Sequence, residues 1–153
     1  MSVKQLSNII ILSVLAGCSS TAINSQQAAV QFDARYDECE DLGIQNVVDL
    51  PESQWFDSLS FSDKKIVVGY LYNLNQRACT KEATEALRAA LKRDPNAKVQ
   101  ACYQEFLAPI SEGFGQRAIG LDVSKILEMQ RQFDKPFNLR HILTTENLYP
   151  KRS

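Results

Sequence analysis

Apolar residues first gather between Leu6 and Leu15, where Ile9, Ile10, Ile11, Leu12, Val14 and Leu15 are broken by Ser7, Asn8 and Ser13. Residues 18–30 that follow carry no charge and almost no large apolar side chain, so they read as a flexible tether. From Ala28 the pattern changes to a helical period: Ala29, Phe32, Tyr36 and Cys39 share one face, and Gly43 stands where a left-handed C-cap would end the helix. Val47, Val48 and Leu50 ahead of Pro51 predict an extended link. Trp55, Phe56 and Leu59 predict core anchors on a one-turn helix.

The strongest helix signal covers 63–78. Ser62 is its expected cap, Asp63 suits the positive first turn, and Phe61 and Ile66 hold the two positions of a hydrophobic staple. Val67, Tyr70, Leu71, Leu74 and Ala78 form its inward stripe, which leaves Val68 and Tyr72 off that stripe. Thr80 is positioned to cap a second helix with Ala83, Ala86, Leu87, Ala90 and Leu91 on its apolar face, ended by Asp94-Pro95. A third helix starting at Pro95 turns Val99, Cys102, Tyr103, Phe106, Leu107 and Ile110 inward. After the break at Pro109, Gly113, Gly115 and Gly120, Asp122 caps a fourth helix with Val123, Ile126, Leu127 and Phe133 apolar. The tail from Pro136 is too apolar to stay free. No segment alternates at period two long enough to build a sheet, so the fold is mainly α: a small helical domain of four to six helices over residues 31–153.

Composition narrows the chemistry. The 153 residues are 44% hydrophobic and 23% charged with a formal charge of −1, so no global basic field draws a nucleic acid. One histidine in the chain leaves little room for zinc or general-base chemistry. The charge is unevenly placed, however. Between residues 31 and 63, Asp33, Asp37, Glu38, Glu40, Asp41, Asp49, Glu52, Asp57 and Asp63 face Arg35 as the sole base, whereas the rest of the domain is basic on balance. Either the acidic front packs on that basic remainder, or one pole is a partner surface.

A positive start at Lys4, a brief apolar centre and a small-residue exit describe a secretory signal peptide over 1–17. The apolar centre is too short to span a bilayer, which takes about 20 residues. Directly after it, Leu15-Ala16-Gly17-Cys18 resembles the lipobox of bacterial lipoproteins. That resemblance implies recognition of Leu15, Ala16 and Gly17 by a signal peptidase, cleavage before Cys18, a diacylglycerol on its sulfur and an acyl chain on its new amine. No other cofactor is expected. Two or more acyl chains, each burying about 0.8 kcal/mol per CH₂, hold a protein stably on a membrane. With Ser19 and Ser20 in place of an aspartate after the cysteine, the resemblance points to the outer membrane, on its periplasmic face.

Residues 64–97 resemble a single tetratricopeptide-type hairpin, with Ala83, Leu87, Ala90 and Pro95 at that motif's spacing. The next 34 residues do not repeat it, because Gln104, Gly113 and Gly115 fall where the motif needs apolar or helical positions. Besides Cys18 the chain has Cys39, Cys79 and Cys102, and an oxidising compartment favours one bridge among three possible pairings. If the hairpin frame holds, Cys79 lies at the far end of its helix from Cys102, which favours a Cys39–Cys79 disulfide and leaves Cys102 a buried thiol.

No phosphate loop, Gly-x-Ser-x-Gly elbow or Cys-x-x-Cys pair is present, and Glu38, Glu40 and Asp41 are ordinary surface acids. His141 reads as a structural histidine of the tail. The expectation is therefore a non-enzymatic, protein-binding adaptor without a small-molecule substrate, similar in architecture to pilotins, the small lipoproteins that escort secretion-channel subunits. Tyr70, Tyr72, Asn73 and Asn75 form the expected contact face for another envelope protein. The competing expectations are an immunity or inhibitor protein that meets a toxin or wall hydrolase through the acidic front, and a structural subunit of an envelope machine.

Overall fold

A computed structural model describes residues 23–144 and Leu148. Its first helix, α1 (Ser25–Gln45), is opened by a capping box. The Asn24 side chain accepts from the Gln27 N–H, and the Gln27 side chain accepts from the Asn24 N–H in return. The tether expected over 18–30 thus ends before Ser25, and Ser25, Ala28 and Ala29 are buried. The small side chains that read as a linker serve close approach instead: Ala28 and Ala29 lie in one core cluster with Leu87 and Ala90. Gly43 is likewise no C-cap. It lies inside α1, where an added Cβ would come within 3.2 Å of the Phe137 carbonyl oxygen, so glycine there permits helix and returning tail to touch.

The other helices are α2 (Gln54–Asp57), α3 (Phe61–Cys79), α4 (Lys81–Arg93), α5 (Ala97–Cys102), α6 (Gln104–Leu107), α7 (Phe114–Arg117), α8 (Val123–Gln132) and α9 (Leu139–Thr144), with a 3₁₀ turn at Ile110–Glu112. The mainly helical fold is as expected, and no strand occurs among the described residues. Several caps move by a few positions. Ser60, not Ser62, caps α3 by accepting from the Asp63 N–H, so that helix starts two residues early. Thr80 makes no side-chain cap for α4, because its hydroxyl donates to the Gln76 carbonyl and so binds backward into α3. Asn96 caps α5 through the Val99 N–H, which displaces the expected start at Pro95. Asp122 caps α8 as expected.

Two apolar clusters hold the domain. The larger gathers Val67, Val68 and Leu71 of α3 with Ile126 and Met129 of α8, Ile142 of α9, and Phe56, Phe133, Phe137 and Leu148. Phe137 lies tilted against Phe133 with ring centroids 4.3 Å apart, and the tail packs back as its composition requires. The smaller sets Ala28, Ala29 and Phe32 of α1 against Leu87 and Ala90 of α4 and Val99 of α5. Accordingly α4 leans mainly on α1 rather than on α3, and the chain's 64–97 hairpin is splayed around the first helix. Val123 and Leu127 are exposed on α8, where Met129 takes the inward position instead.

Candidate functional site

Leu15, Ala16, Gly17 and Cys18 lie outside the described residues, as do the rest of the signal segment and residues 19–22 of the expected tether. Among the described residues no helix is long and apolar enough to cross a membrane. What they do give is the cysteine framework. Cys39 on α1 and Cys79 at the end of α3 form a disulfide with Cα atoms 6.0 Å apart. Each helix belongs to a different apolar cluster, so the bridge joins the two halves of the core. Arg35, one turn before Cys39, donates from Nε to the Cys79 carbonyl at 3.1 Å and approaches Cys79 Sγ at 3.5 Å. Cys102, expected as a buried thiol, is exposed: it ends α5, on which Val99 is the buried residue, and the expected inward stripe stops there at the break before α6.

The expected contact face of α3 comes apart on inspection of burial. Tyr70 is 5% exposed and Asn75 not at all, so neither presents a surface. Asn75 holds the chain reversal after α8: its Nδ2 donates to the Phe133 and Lys135 carbonyls, and its Oδ1 accepts from Gln130. Val68 is equally buried. The buried positions of α3 run from Val67 through Val68, Tyr70, Leu71, Asn75 and Gln76, which leaves the helix without a broad free face. A single inward stripe underestimated its cover because α1 and the tail press on it from further sides.

Tyr72 and Asn73 remain half-buried, and they line a notch between α1, α3 and α6. Asn73 is committed to its own helix, donating to the Gly69 carbonyl at 2.9 Å. Tyr72 lies edge-on to Phe137 at 5.8 Å and faces Tyr36, whose ring meets Phe106 at 5.4 Å. At the base is Gln76, 4% exposed, its amide beside the Tyr72 phenol. Arg77 and Glu105 complete the wall. Arg77 is already occupied, donating to the Ala108 and Glu105 carbonyls at 2.7 and 2.6 Å.

Carboxylates of α1 and α6 act on the two phenols of the notch. Burial raises the Tyr36 phenol first, and Tyr72, Glu40, Glu105 and Asp37 add to the rise. Burial and then Glu40 raise Tyr72, opposed by the Gln76 amide. Desolvation lowers Arg77, with Glu105 acting against it.

Around it, the acids of α1 stay solvated. Asp37, Glu38, Glu40 and Asp41 are all exposed, and Glu38 pairs within its own helix with Arg35 at 2.9 Å. Among the described residues the acidic front meets an ionisable base of the later chain at one place, His141 Nε2 lying 3.4 Å from Asp49 Oδ1. Its packing is instead aromatic, Phe32 lying 5.3 Å from Tyr103 and 5.1 Å from Phe106. Among the described residues no group of three or more His, Cys, Asp or Glu could hold a metal.

Comparison with protein families, curated proteins and solved structures finds no match to this chain. Gln76, Arg77 and Glu105 went unseen in the sequence. Gln76 shares a face with Tyr72 by i,i+4 spacing, the one local signal that links the two; Glu105 and Phe106 reach the notch through tertiary packing.

Proposed function

We propose that this protein is a lipid-anchored adaptor of the periplasmic face of the outer membrane, attached through acylated Cys18 and acting by binding another envelope protein rather than by catalysis. The observation that carries the reading is Leu15-Ala16-Gly17-Cys18 directly after a short apolar stretch. The Cys39–Cys79 disulfide supports export independently, since such bridges persist in oxidising compartments. With location supplied by lipid, the folded part is free to be a recognition surface that receives a segment of its partner. In this role the domain resembles pilotins in architecture alone.

A photo-crosslinking residue in place of Glu40, exposed one turn after Tyr36 on α1, tests the reading in intact envelopes. Capture of a defined membrane or periplasmic protein, with yield insensitive to salt, supports it. No envelope adduct at all would contradict it.

The exposed run Asp37, Glu38, Glu40 and Asp41 favours one second reading, an inhibitor that meets a basic hydrolase or toxin. A charge-led inhibitor loses association rate steeply as ionic strength rises, whereas a seated segment does not.

A further inference from the structure

We propose that the end of the domain around Ile23 lies on the membrane, where Lys92, Arg93 and Lys98 bind anionic phospholipid headgroups, an assignment that rests on the acylated Cys18 of the adaptor reading. Ile23 packs against the cluster that holds Ala28, Ala29, Leu87, Ala90 and Val99. Its carbonyl accepts from Arg93 Nη2 at 3.4 Å, and Ser25 is bound to Asp94 directly after α4. These contacts fix the point at which the chain enters α1. Ile23 stands five positions after Cys18, and five residues of chain reach at most about 18 Å. A lipidated Cys18 therefore keeps this end of the domain beside the headgroups.

That end is basic. Lys92 and Arg93 close α4, Lys98 lies in the first turn of α5, and all three are exposed. The acid between them, Asp94, is already bound by Ser25. Before Asp33, which accepts from the Tyr103 hydroxyl, α1 carries no charge at all. The carboxylates gather at the other end. Ser25 meets Asp94 just after α4 and Arg35 meets Cys79 just before it, so α1 and α4 run antiparallel and the second half of α1 points away from Lys92 and Arg93. At 1.5 Å per residue, Asp37, Glu38, Glu40 and Asp41 stand about 18 to 24 Å along α1 from Ser25. That is at least two screening lengths of about 8 Å at physiological salt. Headgroup phosphates attract the near end and repel the far one, which carries the acidic face of α1 away from the lipid.

The test uses the full chain, its acylation checked by mass, reconstituted in vesicles with a photo-crosslinking residue in place of Gln26 or of Glu40, both exposed on α1. In vesicles of mixed phosphatidylcholine and phosphatidylglycerol, phospholipid adducts should form several-fold more from the first position than from the second. A base near a charged headgroup layer is worth about five-fold in binding. The Gln26-position yield should therefore fall about ten-fold or more when Lys92→Gln, Arg93→Gln and Lys98→Gln are combined, and likewise in phosphatidylcholine alone. The three residues belong to neither apolar cluster, so the variant should stay folded by circular dichroism.

Equal lipid yields from the two positions overturn the orientation. A yield at the Gln26 position indifferent to the three substitutions or to headgroup charge overturns headgroup binding and leaves the short chain to Cys18 as the only tie. In both cases the anchor reading stands. A chain that carries no acyl group removes the two together.

Discussion

Ser25 and Asp94 are 69 positions apart in sequence, and Asp94 Oδ2 accepts two hydrogen bonds from Ser25, 3.0 Å from the backbone N–H and 2.9 Å from the hydroxyl. The carboxylate that follows α4 thereby serves the exposed amides and positive end of α1. The backbone bond first, then the hydroxyl bond, hold Asp94 below the usual carboxylate range. A depressed folded pKa contributes stability that is present above the unfolded value, near 4, and is lost as pH falls through the folded one. Asp94→Ala should therefore lower the melting temperature at pH 7, with the gap to the parent closing as the pH is taken below 4. A gap that stays constant with pH would show that the carboxylate charge is immaterial.

Reduction of the Cys39–Cys79 bridge frees a loop spanning 40 positions. Chain-entropy arithmetic gives it about 4 kcal/mol. The double variant Cys39→Ala, Cys79→Ala should lose stability on that scale in urea titrations. Because the bridge joins the two apolar clusters, hydrogen exchange should rise most in α1 and α4.

Asn75 was expected at a contact surface and is found in the core, where three hydrogen bonds tie α3 to the turn after α8. Asn75→Leu strips the buried Phe133 carbonyl and the half-buried Lys135 carbonyl of their donor and should cost about 2 kcal/mol in chemical denaturation. A variant as stable as the parent but defective in partner capture would restore the surface reading.

The Tyr103 hydroxyl donates to Asp33 at 2.7 Å. Partial burial first and that bond second push its phenol up to about 12. A raised folded pKa contributes stability that is intact below the unfolded value of 10 and is lost as pH climbs toward 12. Ultraviolet titration should show a late phenolate step that Tyr103→Phe removes, and the stability deficit of that variant at neutral pH should close as the pH climbs toward 12.

Helix identity was legible because it depends on local periodicity: α3, α4 and α8 stand close to where their apolar spacing and capping residues put them. The Cys39–Cys79 pairing forms as expected, although the hairpin frame that favoured it does not hold, since α4 leans on α1. Faces were less so. Ala28 and Ala29 look like linker until Leu87 and Ala90 lie against them, and Cys102 looks buried until the helix breaks at Tyr103. The Gln76 notch is built by α1, α3 and α6 together, and no single stretch of chain contains its chemistry.

Location remains the premise on which the adaptor role depends, and fatty-acid labelling tests it at one atom. Cells fed radioactive palmitate should yield a labelled form of this chain, cut before Cys18, and Cys18→Ser should carry no label and persist as the uncut precursor. Label retained on Cys18→Ser, or an unlabelled parent chain that keeps residues 1–17, would contradict the account.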